Sequence, residues 1–184
     1  MANITRPKAT GSVTSSQSQP SATQNIGAAI EPAPAPAPTD KWQENTGTSA
    51  MDDSPTVTYA LTAEYDITGW LKTSRPALYV RCFEHKTAVL VHTDMAANVE
   101  YGGGHTVRIR LDDEPAFTEE WSESTNHEAL FAPNPIALAR RIARAKRMRF
   151  EFTPFNASRT TVEFDVTGFG NHIGEVANTC GWKP

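Results

Sequence analysis

Two cysteines, five histidines and a run of arginines are the residues in this 184-residue chain best placed to do chemistry. The histidines are His85, His92, His105, His127 and His172, and none stands beside another His or Cys at ligand spacing, so no local zinc motif is present. Gly102, Gly103 and Gly104 lack the Lys-Ser/Thr and the helix that a phosphate-cradling loop needs, and read as a hairpin turn. No Gly-x-Ser-x-Gly elbow occurs. His127 and Glu128, beside Ser122, Ser124 and Thr125, are the nearest approach to an acid–base cluster, but without a nucleophile context the plainer reading is a polar loop. Asp112, Asp113 and Glu114 read as a solvated turn. These residues assign no catalytic, cofactor-binding or metal site, and the expectation is a protein that binds and is not an enzyme.

The charged feature of interest is the segment holding Arg140, Arg141, Arg144, Lys146, Arg147 and Arg149. Arg140, Arg144 and Arg147 recur at helical spacing and would share one face. Such a face is either solvated, with arginines favoured near a helix C-terminus, or a docking surface for an acidic protein partner or anionic lipid headgroups. The formal net charge of −4 argues against nucleic-acid binding through bulk charge. The basic run also lacks the aromatic pair on which single-stranded bases stack.

The elements that would position these residues begin near Trp42. Residues 1–41 are rich in Ser, Thr, Gln, Ala and Pro and poor in large apolar side chains, so burial cannot offset the entropy of ordering them. They are expected to form a disordered tail ending in a Pro-Ala spacer at 31–38. Residues 42–184 are expected to form a single α+β domain. Strands are predicted at 56–62, 77–84, 87–93, 105–111, around 117–121, at 148–153 and at 160–166, from their alternation and β-branched content. Asn134 followed by Pro135 marks a helix start, with the helix running over 136–146. A last helix is expected over 171–179. Seven strands and two helices, with most strands adjacent in sequence, give an antiparallel sheet or sandwich with helices packed at one side.

Alternation places Leu78, Val80 and Cys82 on the apolar face of one strand, and Cys180 lies on the apolar stripe of the last helix. If that helix packs on that sheet, the two thiols meet; the alternative is two separate buried thiols. A bridge would imply an oxidising compartment. The first thirty residues contain no apolar run suited to a signal-peptide core. A cytoplasmic chain, or one whose leader is not included, is therefore the alternative.

Several segments occur together in one order: residues 121–125 (Trp-Ser-Glu-Ser-Thr), 128–133 (Glu-Ala-Leu-Phe-Ala-Pro), 152–158 (Phe-Thr-Pro-Phe-Asn-Ala-Ser), 164–166 (Phe-Asp-Val) and the closing Cys180-Gly181-Trp182. With the Arg81-Cys82 step, this set resembles the VasI/TagO family of type VI secretion-associated accessory proteins, over residues 42–183. The resemblance implies a non-enzymatic periplasmic or secreted protein, a Cys82–Cys180 bridge, and a protein partner among secretion or envelope components. It transfers no catalytic residue. Two other functions fit the residues: a cell-wall hydrolase or hydrolase inhibitor using His127 and Glu128, and a structural component of a phage or particle.

Overall fold

Alternating side chains build most of this molecule, and the computed structural model, which describes residues 40–99 and 104–184, shows where each strand lies. Among the described residues, eleven strands run in chain order. They are β1 (Gln43–Thr48), β2 (Pro55–Thr62), β3 (Ile67–Thr68), β4 (Thr73–Ser74), β5 (Ala77–Phe83), β6 (Lys86–His92), β7 (His105–Leu111), β8 (Phe117–Glu123), β9 (Ala129–Phe131), β10 (Arg147–Phe152) and β11 (Thr160–Asp165). Two helices, α1 (Pro135–Ile142) and α2 (Ile173–Cys180), and a 3-10 turn at Phe169–Asn171 complete them. Nine strands form one antiparallel sheet in the order β1-β2-β5-β6-β9-β8-β7-β10-β11, and β3 pairs only with β4. Just past β2, the Glu64 N–H donates to the Glu163 carbonyl of β11 at 2.9 Å. The segment that follows the second strand of the order thus bonds to the ninth, so the twisted sheet curls toward itself.

The α+β class and the two helices agree with the sequence reading, while the expected seven strands become eleven. The additional strands carry little periodic signal. All six residues of β1 are exposed, and it is held by its register with β2 from Gln43↔Ala60 to Thr48↔Pro55. β3 and β4 have two residues each and β9 has three. The tail and spacer expected over 1–41 lie outside the described residues except for Asp40 and Lys41. Asp40 accepts a hydrogen bond from His172 Nε2 at 2.9 Å, and Lys41 lies 2.8 Å from Glu64 and 3.3 Å from Asp165. Of the Gly102–Gly104 turn, only Gly104 is described.

Inside the curl, the apolar halves of the longer strands other than β1 form the core. Trp121 of β8 packs on Phe150 of β10, with ring centroids 5.0 Å apart, and Trp42 packs on Phe169 at 4.7 Å. Helix α2 packs on β2, β5 and β6 and buries Ile173, Val176 and Ala177, while α1 packs on β6. Buried Tyr59 reaches from β2 to α2, and its hydroxyl donates to Glu175. Burial, reinforced by the hydrogen bond to Glu175, holds that hydroxyl well above the usual tyrosine range, so it stays a donor at every physiological pH.

Cys82 and Cys180 form a disulfide with a Cα–Cα distance of 5.6 Å, across a sequence separation of 98. It arises as alternation predicts: Cys82 faces the core and α2 carries Cys180 onto β5.

Helix α1 starts where expected, with Asn134 preceding Pro135, although the Asn134 side chain makes no capping bond. It ends at Ile142, four residues short of the expected Lys146. Arg144 and Ala145 donate backward to Arg141 and Ile142, tightening the last turn. The Asp112 carboxylate then accepts the backbone N–H groups of Lys146 (3.0 Å) and Arg147 (2.8 Å), turning the chain into β10. Gly170 permits the fit behind this turn, because a Cβ there would stand 2.8 Å from the Ala143 carbonyl oxygen.

Candidate docking site

Three connections meet at one end of the sheet. The first is the β3–β4 tip, where the Gly69 N–H closes a tight turn onto the Lys72 carbonyl at 2.9 Å. Ile67 anchors this hairpin in the core. A Cβ on residue 69 would lie 2.7 Å from the Met95 sulfur, so glycine lets the tip lie flat against the second connection, residues 93–98. Lys72 pairs with Asp94 at 2.7 Å, and this contact holds the Asp94 carboxyl below the usual carboxylate range. The third connection is the β10–β11 loop. Asn98 N–H donates to the Thr153 carbonyl and Phe155 N–H to the Ala96 carbonyl, both at 2.8 Å.

These bonds fix the backbone, yet large apolar side chains face water on it. Trp70 is 60% exposed, Leu71 81% and Phe155 56%. Together with Met95, Ala96 and Pro154 they line a recess of about 300 Å³. Singly exposed hydrophobics need no explanation, but a cluster on a fixed backbone marks an interaction surface. A larger cleft of about 550 Å³, lined in part by Glu64, Glu163 and Asp165, is polar, and these three carboxylates already pair with Lys41, Arg147 and Arg149.

Behind the recess sits a cluster that the sequence did not assemble. Glu123 ends β8 on the same face as Trp121, with its side chain only 11% exposed. One carboxylate oxygen accepts the Ala97 N–H at 3.1 Å; the other bonds His127 Nδ1 and lies 3.6 Å from His105 Nε2. His105 Nδ1 donates to the Asn98 carbonyl at 3.1 Å. Glu123 and His105 thus pin the backbone of residues 97 and 98, which continues the recess wall.

His127 and Glu128 serve separate partners. Glu128 accepts from Asn126 Nδ2 at 2.6 Å and lies 3.8 Å from His92. Ser124 Oγ donates to Asn126 Oδ1 and accepts the N–H groups of Glu128 (3.1 Å) and Ala129 (3.0 Å), so this hydroxyl is spent on closing the turn.

The arginine face is corrected by the early end of α1. Arg140 lies on the helix, donates to the Lys183 carbonyl and stands over the Trp182 ring at 5.3 Å. Arg144 is in the turn, exposed and without an ion-pair partner among the described residues. Arg147 opens β10 and pairs with Glu163 at 3.2 Å. Helical spacing does not hold across a helix end, so the three do not share a helical face. Sequence reasoning gives no role to Trp70, Leu71, Phe155 or Glu123, and weighs His105 only as a metal ligand. A Trp-Leu pair beside a glycine, inside a connection, was the available signal for the first two.

Comparison with known proteins bears on this arrangement. No curated protein matches the chain. Among solved structures it is similar to the crystal structure of invasion associated protein B from Bartonella henselae. That match has 11% sequence identity and a TM-score of 0.51, and covers 75% of this chain and 91% of that one. Identity this low shows a shared fold alone. No helix among the described residues is long and apolar enough to cross a membrane, and the disulfide indicates an oxidising compartment. A family model described as type VI secretion system VasI, EvfG matches residues 8–182, starting well before the 42–183 segment that carried the resemblance. The chain belongs to the VasI family of type VI secretion-associated proteins.

Proposed function

We propose that this chain is a non-enzymatic accessory of type VI secretion that works in the periplasm or outside the cell and holds a protein component of the secretion apparatus. The observation that carries this reading is the exposed apolar end formed by Trp70, Leu71 and Phe155 around a recess with a hydrogen-bonded wall. Family membership supports the class of partner, and the disulfide supports the compartment. The recess suits an apolar side chain on a polypeptide segment: a few aromatic anchors in a fixed pocket can supply most of an interface's binding energy.

The test is the double variant Trp70→Ser with Leu71→Ser, expressed in the native host. Recovery of type VI secretion components, identified by mass spectrometry after crosslinking, is expected to fall at least about tenfold. Thermal unfolding should remain near wild type, because both side chains already face water. Unchanged recovery from a folded variant would overturn the reading.

A further inference from the structure

Alternation along β7 and β10 sends Arg108 and Arg110, and Arg147, Arg149 and Glu151, to the outer face of the sheet, while Val107, Ile109, Met148 and Phe150 fill the core. The register sets Arg108 opposite Glu151 but Arg110 opposite Arg149. Like charges directly across a strand pair repel. The nearby carboxylates are already shared. Glu151 serves Arg108 (2.9 Å) and Arg159 (3.6 Å), and Glu163 serves Arg147 (3.2 Å) and Arg149 (3.0 Å).

Arg110 is left with weak contacts: the fully exposed Asp113 carboxylate at 3.8 Å and the Asp113 carbonyl at 3.4 Å. Its Nε atom is buried and has no hydrogen-bond partner among the described residues. Arg108, Arg110, Arg149 and Thr161 line a recess of about 430 Å³, together with Asp113, Glu114, Pro115 and Glu151.

We propose that this recess receives a carboxylate from an acidic segment of a protein partner, placed between the Arg110 and Arg149 guanidiniums. The inference rests on the partner-holding reading above but concerns a different face. Two planar guanidinium forks suit a carboxylate, which accepts bidentate bonds from either. A flat anionic bilayer fits less well, because Asp113, Glu151 and Glu163 stand on the same face and would meet the headgroups. A polypeptide can place one carboxylate in the recess and other groups beside these acids. Around this recess Arg110 alone lacks a close carboxylate, while Arg149 beside it shares Glu163 with Arg147.

The test uses the full chain and a fluorescently labelled hexaglutamate peptide, followed by anisotropy at low ionic strength. Saturable binding is expected, weakening as salt is added. Arg110→Gln and Arg149→Gln should each weaken it roughly tenfold, and Arg144→Gln, outside the recess, should leave it unchanged. Arg110→Gln should also melt at or above the wild-type temperature, since it relieves a like-charge contact; a purely structural arginine would melt lower. The Trp70→Ser, Leu71→Ser variant should bind hexaglutamate as wild type does, so failure at either site is read separately. The proposal is overturned by absence of saturable binding, by an equal loss in Arg144→Gln, or by binding to phosphatidylglycerol vesicles that hexaglutamate does not displace.

Discussion

Replacing both cysteines, Cys82→Ala with Cys180→Ala, is expected to lower the unfolding free energy by about 2–5 kcal/mol. The bridge joins residues 98 apart in sequence, and loops of that length lose the most unfolded-state entropy when closed. Helix α2 also buries Ile173, Val176 and Ala177, and Trp182 beyond it donates to Thr87 Oγ1 at 2.7 Å. These contacts should keep the variant folded at room temperature. The midpoint of thermal unfolding is then expected to drop by roughly 10 °C. Reductant should shift the wild type toward the variant and leave the variant unmoved. An equal midpoint for both proteins in the absence of reductant would show that packing alone holds α2 on the sheet.

The second large effect is expected from Glu123→Ala. The substitution removes the acceptor for the Ala97 N–H, which lies in a buried part of the 93–98 connection, and leaves His105 and His127 without their shared carboxylate. Leaving a buried donor unpaired, and losing bonds to a charged group, costs about 2–3 kcal/mol. Glu123→Gln retains a carbonyl for Ala97 and should lose less. Amide exchange at Ala97 and Asn98 should quicken in Glu123→Ala more than elsewhere in the sheet, because those residues lose their tether. Capture of secretion components should fall as well, although Trp70, Leu71 and Phe155 are untouched. Uniform exchange across the domain would instead mean that Glu123 supports the whole fold and does not specifically tether the recess wall.

What the sequence disclosed follows from which residues carry periodic signal. Val107, Ile109 and Leu111 alternate with Arg108 and Arg110, and that strand lies where the pattern placed it. The same logic puts Cys82 and Cys180 on apolar faces of well-signalled elements, which permits a bridge; that α2 packs on β5 and brings the two sulfurs together is given by the fold. β1 carries no periodic signal because the six residues Gln-Glu-Asn-Thr-Gly-Thr bury nothing; they are held by their ladder with β2 and by the Tyr59 hydroxyl, which donates to Glu44. The helical arginine face was misjudged for a related reason. Spacing extends a pattern without knowing that Asp112, more than thirty residues earlier, takes the Lys146 and Arg147 N–H groups and ends the turn. Glu123, His105 and Ala97 come together only through the β7–β8 register and the path of residues 93–98, which no local pattern encodes. The apolar end left only a faint local signal: Trp70 and Leu71 follow Gly69 in a connection, and their convergence with Phe155 needs the fold.

The claim that the apolar end holds a secretion component is tested most directly by site-specific photocrosslinking in the native host. A benzophenone amino acid at Leu71 is compared with the same group at Met51, which is 85% exposed on the β1–β2 turn and outside the recess. A discrete crosslink to a type VI secretion protein from position 71, absent from position 51, is the expected result. Equal crosslinking from both positions, or no secretion protein crosslinked at position 71, would contradict it.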